Sequence, residues 1–252
     1  NNIKMPKPIN IFGFHSVESI LSSNPESIVN VVIQINRKDK RTHNLENRLS
    51  DLKIPFSKID KNSLDQISNG EIHQGVVSQV ILPSLLNEKL LLSSINESFK
   101  QPLILILDSI QDPRNLGACL RSANAAGVDH VVINKDGSAP INSLVHKTSA
   151  GAINSLKIYH VINLSRTIKN IQKKGIWVIG LDSNSQSTIY EANLTDSTAI
   201  VMGSEGKGIR PLIKKTCDQI VSIPMSGNIE SLNVSVATGI ALFESKRQRE
   251  ST

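Results

Sequence analysis

The chain has 252 residues, enough for one large domain or two ordinary ones. With 39% hydrophobic, 20% charged and only 3% aromatic residues it has a globular composition, and so few aromatics argue against reading single strands mainly by base stacking. Its 28 Lys+Arg against 22 Asp+Glu give +6, a mild lean towards polyanions that solvated lysine faces alone would also produce.

From the N-terminus, residues 15–21 read as a helix and residues 28–35 as a buried strand. Leu45, Leu49 and Leu52 recur at helical spacing, and residues 76–82 form a last strand. Between the first strand and that helix lies Arg37-Lys-Asp-Lys-Arg41, the densest basic cluster, which is either a solvated loop or a set of phosphate contacts through Arg37, Lys38, Lys40 and Arg41. Pro83 ends the block, and residues 84–101, polar with scattered leucines, read as a linker with a short helix. From Pro102 strands and helices alternate. The strands are 103–107, 130–134, 156–161, 176–181, 198–202 and 219–223, with helices near 116–126, 164–174 and 231–246 and a restart near Ile209. That rhythm predicts a mostly parallel sheet covered on both faces, in three segments: 1–82, 83–101 and 102–252.

Cys119 and Cys217 sit in apolar or helical contexts and read as reduced core residues. The histidines show no H-x-x-x-H or paired pattern, so no metal is expected. No apolar run nears the roughly 20 residues that span a bilayer, and no signal-peptide core is visible. A soluble, reducing, cytoplasmic setting with no membrane partner is the expectation.

The candidate chemistry lies at strand ends. Residues 103–107 empty into Asp112-Pro-Arg-Asn-Leu-Gly, a helix-start signal, with Leu116, Leu120 and Ala123 as the core stripe. Asn115 and Arg121 fall off that stripe; the plain readings are a cap for Asn115 and a surface ion pair for Arg121. Val201-Met-Gly-Ser-Glu-Gly-Lys-Gly is a strand running into a glycine-rich loop that lets a backbone approach a ligand, with Glu205 at its lip. Ile223-Pro-Met-Ser-Gly-Asn-Ile-Glu-Ser-Leu-Asn233 is a second strand-end loop carrying Ser231 and Asn233, and two in tandem suggest a pocket. Simpler motifs fail on spacing. Position 208 is Gly where a phosphate-binding loop needs Ser or Thr, G-x-x-G-x-G is the wrong order for a dinucleotide fingerprint, and Ser231 has no G-x-S-x-G around it.

Asp112-Pro-Arg-Asn-Leu-Gly with Arg121-Ser-Ala, Met202-Gly-Ser-Glu-Gly-Lys-Gly, and Ile223-Pro-Met-Ser-Gly with Glu230-Ser-Leu-Asn-Val-Ser-Val-Ala237 resemble the three motifs of the SpoU/TrmH ribose methyltransferases, in the family's order, from about Pro102 onward. Gly13-Phe-His-Ser-Val and His73-Gln-Gly-Val-Val resemble, over a shorter match, the substrate-binding domain of the rRNA guanosine 2′-O-methyltransferase branch. The resemblance implies a trefoil-knotted, mostly parallel α/β domain binding S-adenosylmethionine, preceded by a small α/β substrate-binding domain. It implies cofactor contacts at Gly203, Ile223 and Leu232, and catalytic or substrate-positioning roles for Asn115, Arg121, Glu205, Ser231 and Asn233. It also implies a homodimer packed through the knotted domain, with Leu232, Val236, Ile240 and Phe243 of the last helix partly core. The family's arginine base sits uneasily with a guanidinium, so Arg121 reads either as a base or as a fork that binds phosphate and stabilises the developing alkoxide, oriented by Glu205, Ser231 and Asn233. The expected substrate is a guanosine of large-subunit rRNA. The alternatives are tRNA, or a non-catalytic RNA-binding assembly factor, against which the intact motif residues weigh.

Overall fold

The computed structural model describes residues 8–82, 84–97, 100–227 and 229–251. The chain divides into two compact units. One comprises Asn1–Ser84 with Asn142–Ser155, the other Leu85–Ile141 with Leu156–Thr252.

In the first unit the chain runs β1 (Ile9–Phe12), α1 (Phe14–Ser23), β2 (Ile28–Gln34), α2 (Lys40–Asp51), β3 (Phe56–Ile59), α3 (Lys61–Ser68) and β4 (Val76–Val80). Among the described residues four strands form one sheet in the order β1-β4-β2-β3. The pair β2–β3 is parallel, and β4 is antiparallel to both its neighbours. Phe14, Val17 and Ile20 of α1 and Leu45 and Leu49 of α2 pack with Val31, Ile33, Val76 and Val80 of the sheet. The basic cluster is not a free loop. Asp39 caps α2 by accepting from the Thr42 N–H at 3.0 Å, so Lys40 and Arg41 already belong to the helix. The helix also ends before Leu52, which is half exposed.

In the second unit β5 (Leu86–Asn87), α4 (Glu88–Asn96), β6 (Leu103–Leu107), α5 (Pro113–Ala126) and β7 (His130–Asn134) come first. The next helix, α6 (Ser143–Thr148), counts with the first unit, where the Ser19 hydroxyl donates to the Ala150 carbonyl at 3.2 Å. The second unit resumes with β8 (Ile158–Val161), α7 (Leu164–Gln172), β9 (Trp177–Leu181), β10 (Thr198–Met202), α8 (Pro211–Thr216), β11 (Gln219–Val221) and α9 (Val234–Glu250). Among the described residues seven strands form a sheet in the order β11-β9-β10-β6-β7-β8-β5, every pairing parallel. All five residues of β6 are buried, as a strand covered on both faces requires. On one face Ile168 and Ile171 of α7 and Leu91 and Ile95 of α4 join the core with Ile104, Ile106, Val178 and Val201. On α5, Leu116, Leu120 and Ala123 are buried as the stripe predicts.

Three expectations need correction. The stretch read as a linker with a short helix holds one, α4, but Leu91 and Ile95 anchor it in the core and β5 pairs with β8, so the segment is part of the sheet unit from Leu86. A two-residue strand is too short to leave a pattern, and the break assigned to Pro83 lies outside the described residues. The last helix begins at Val234 rather than Ser231, so Ser231 and Leu232 lie in the preceding loop. Its core face is Val234, Thr238, Ala241, Leu242 and Ser245, whereas Val236 and Phe243 are about half exposed and Leu232 and Ile240 only partly buried.

Candidate active site

Strands β9, β10 and β11 end beside one another, and the loops leaving them line one cleft, the place where open parallel sheets take ligands. Residues 181–184 line it at the end of β9 and residues 202–208 at the end of β10. Ile223, Met225, Ser231 and Leu232 come after β11, and Val234 and Ala237 belong to α9. The enclosed part of the cleft is about 200 Å³, and it opens broadly to solvent. Gly203, Ile223, Leu232, Glu205 and Ser231 are thus brought to one place. Residues 182–184 were missed in the sequence, although attention to the loop after each strand would have flagged Asp182.

The loop after β10 is a tight hairpin. Ser204 and Gly208 exchange two main-chain hydrogen bonds, of 3.1 and 2.8 Å, and Gly206 and Gly208 adopt the positive φ that glycine permits. A Cβ on Gly203 would overlap the Gly208 carbonyl group and the Ile209 nitrogen. The absence of a side chain at 203 therefore serves the hairpin's own closure, not only a ligand's approach. Gly203→Ala is expected to lower Tm by several degrees, because an added methyl with no room costs about 1–3 kcal/mol. Thermal unfolding unchanged from wild type would contradict this packing.

Beyond the hairpin, Arg210 folds back onto Asp108, the residue just after β6. Asp108 is fully buried and accepts from the Arg210 main-chain N–H at 2.9 Å and Nε at 2.7 Å, with Nη2 at 2.6 Å. This pair ties the far end of the hairpin to the sheet, and no motif in the sequence marks either residue.

At the hairpin tip Glu205 gathers the other motifs. Its Oε2 accepts from Asn115 Nδ2 at 2.8 Å, and Asn233 Nδ2 donates to Asn115 Oδ1 at 3.0 Å and to Glu205 Oε1 at 3.4 Å. Asn233 also caps α9, its Oδ1 accepting from the Ser235 N–H at 2.9 Å, so the helix start fixes the amide that joins the cluster. Asp112, not Asn115, caps α5. Arg121 stands apart. It is exposed on α5, about 9 Å of helical rise from Asn115, and makes no side-chain hydrogen bond or ion pair among the described residues. Glu205 and Asn233 bond Asn115 and not Arg121; Ser231 is exposed at the cleft without a bonded partner among the described residues.

In the first unit Arg37 Nε pairs with Asp39 at 2.8 Å and its Nη1 donates to the Gln74 carbonyl, while Arg41 makes two bonds to Glu18 at 2.9 and 3.2 Å. Both guanidiniums stack over the buried Phe14 ring at 5.0 and 4.8 Å. Arg41 holds the Glu18 carboxyl below the usual carboxylate range through that hydrogen bond. Lys38 and Lys40 are exposed and have no side-chain partner among the described residues. His73 is buried between Asp65, 2.7 Å from its Nε2, and the Gly75 N–H, which donates to Nδ1 at 3.0 Å; it shapes the turn of His73-Gln-Gly.

Among the described residues no group of His, Cys, Asp and Glu could hold a metal ion, and no helix is long and apolar enough to cross a membrane. Residues 102–243 match the SpoU rRNA Methylase family, and residues 10–85 match the RNA 2′-O ribose methyltransferase substrate binding family. The chain is similar to the 23S rRNA (guanosine-2′-O-)-methyltransferase RlmB of Haemophilus influenzae, at 45% identity over 240 residues covering 95% of this chain and 97% of that protein. It is also similar to that of Escherichia coli K12, at 42% over 239 residues, 95% of this chain and 98% of that one. Among solved structures, the SpoU methyltransferase AviRb from Streptomyces viridochromogenes in complex with AdoMet shares the fold, with TM-score 0.79, 21% identity, and coverage of 98% of this chain and 92% of that one.

Proposed function

The chain belongs to the SpoU rRNA methylase family, and from that premise we propose that it transfers a methyl group from S-adenosylmethionine to the ribose 2′-oxygen of a guanosine in large-subunit rRNA. The observation that carries this reading is the Asn115–Glu205–Asn233 cluster, one residue from each motif, at the rim of the glycine-lined cleft.

The cleft suits the cofactor. Its walls are apolar at Met202, Ile223 and Leu232 and small at Gly203 and Ser204, leaving backbone groups to face a nucleoside. Gly203, Ile223 and Leu232 would hold it, and bound there it supplies a methyl on a sulfonium leaving group. What remains for the protein is alignment of the 2′-oxygen and management of the charge that develops as its proton leaves. Asn115 is locked by Glu205 and Asn233, so its position costs no reorganisation when RNA arrives. The Ser231 hydroxyl offers a further polar contact at the same rim. A guanidinium gives up its proton only under strong desolvation. The exposure of Arg121 therefore supports a fork that binds the substrate over a general base.

The same reading places the protein in the cytoplasm as a homodimer with a knotted catalytic domain. The half-exposed Val236 and Phe243 of α9 support a partner on that helix, and the return of the chain from edge strand β11 to pack α9 on α5 supports the knot. The first unit grips RNA through its basic cluster. Since Arg37 and Arg41 also hold the unit's own turns, the clean test is Lys38→Ala with Lys40→Ala. That variant is expected to weaken binding to any RNA and to flatten the slope of log K against log salt by about 0.7 to 0.9 per lost contact. An unchanged slope would return the cluster to a solvated surface.

Incubating the protein with labelled S-adenosylmethionine and unmodified large-subunit rRNA transcripts, then digesting to nucleosides, tests the reaction. Label in 2′-O-methylguanosine is the expected result. Label entering tRNA alone would move the substrate to that class, and label in neither would leave an RNA-binding factor without catalysis.

A further inference from the structure

The arginines of this chain are nearly all engaged. Arg37, Arg41, Arg166, Arg210 and Arg247 are in ion pairs, Arg48 donates to the Ser22 hydroxyl, and Arg249 to main-chain carbonyls. Of the arginines among the described residues, only Arg114 and Arg121 make no side-chain hydrogen bond or ion pair, and both lie on α5. They are seven residues apart, two turns, so they project from one face about 10.5 Å apart along the axis. The position between them on that face is Ala118, too small to obstruct a ligand lying along the helix.

The placement of Arg114 runs against local electrostatics. It stands in the first turn of α5, where the helix dipole disfavours cations, and the nearest carboxylate in sequence is that of the N-cap Asp112. The capping carboxylate of Asp112 accepts from the Arg114 main-chain N–H at 2.8 Å rather than from the guanidinium. A cation kept where the helix would reject it, and left without a partner, marks a site whose partner comes from outside. Arg114 also directly precedes Asn115 of the rim cluster, so whatever it binds lies beside the reaction site.

We propose that Arg114 is an RNA-backbone contact, holding with Arg121 a phosphate of the strand that carries the methylated ribose, so that one helix face sets the register of the substrate on the cleft. This rests on the methyltransferase function proposed above. A guanidinium fork suits phosphate oxygens in two-point contact, and both arginines present theirs free.

The experiment compares Arg114→Ala, Arg114→Lys and wild type on unmodified large-subunit rRNA transcripts. For Arg114→Ala the KM for RNA is expected to rise about tenfold and the salt slope of RNA binding to fall by about 0.7 to 0.9. The loss falls on KM rather than on single-turnover transfer at saturating RNA, and S-adenosylmethionine affinity by calorimetry does not move. Arg114→Lys, which keeps the charge, recovers the slope but only part of KM. A folded Arg114→Ala variant with wild-type KM and salt slope would overturn the contact. So would a variant that dissociates into monomers on gel filtration, which would assign Arg114 to an interface between copies. If wild-type protein itself neither binds nor methylates these transcripts, the underlying function falls first, and the inference with it.

Discussion

Arg121→Ala is expected to bind S-adenosylmethionine as wild type does while single-turnover methyl transfer falls at least about 100-fold, or about 2.7 kcal/mol. The expectation comes from its surroundings. The side chain is exposed and unpaired, so its removal leaves no buried partner orphaned and opens no cavity, and folding should not register the change. It is also absent from the cleft lining, so cofactor affinity should not register it either. On the function proposed, what is lost is a guanidinium fork available to the substrate. Arg121→Lys separates the two roles open to the residue. Lysine is the easier base but has no planar fork. An inactive Lys variant is the predicted result; substantial activity that climbs with pH would restore proton abstraction. Near-normal turnover in Arg121→Ala would remove the residue from the mechanism.

Arg210→Ala is expected to cost about 2–4 kcal/mol of stability and to weaken cofactor binding at the same time. Asp108 has no exposed surface, and three of its contacts come from Arg210. Removing one partner of a buried pair leaves a stranded charge, which typically costs about 3–5 kcal/mol. The lower figure allows for the half of the Arg210 side chain that water already reaches, and for the main-chain N–H that the substitution keeps. Because Arg210 ends the hairpin that presents Glu205, loss of the anchor should be read at the cleft as well as in the melting curve. Calorimetry and thermal unfolding of one preparation check both, and a variant with wild-type Tm and affinity would contradict this anchoring.

Legibility of the sequence tracks burial. β6, β7 and β10 have the bounds their apolar runs predict, because each is covered on both faces and every residue is buried. β3 and β5 went unread because they are short and half exposed, with no run and no clean alternation. The residues of the cluster came from resemblance, since no periodicity distinguishes Asn115 or Asn233 from ordinary polar positions. Their mutual bonds, and the role of Gly203 against Gly208, depend on neighbours brought together by folding. The Asp108–Arg210 pair spans 102 positions and leaves no local signal. The resemblance groups Arg121 with Glu205, Ser231 and Asn233; among the described residues it makes no side-chain bond to any of them.

The RNA of the cell offers the most direct test of this methyl transfer. Mapping 2′-O-methyl groups across large-subunit rRNA from cells lacking this protein should show one guanosine unmethylated, restored by the wild-type chain and not by Arg121→Ala. Large-subunit rRNA carrying its full set of 2′-O-methylguanosines in those cells would rule out this activity for the protein.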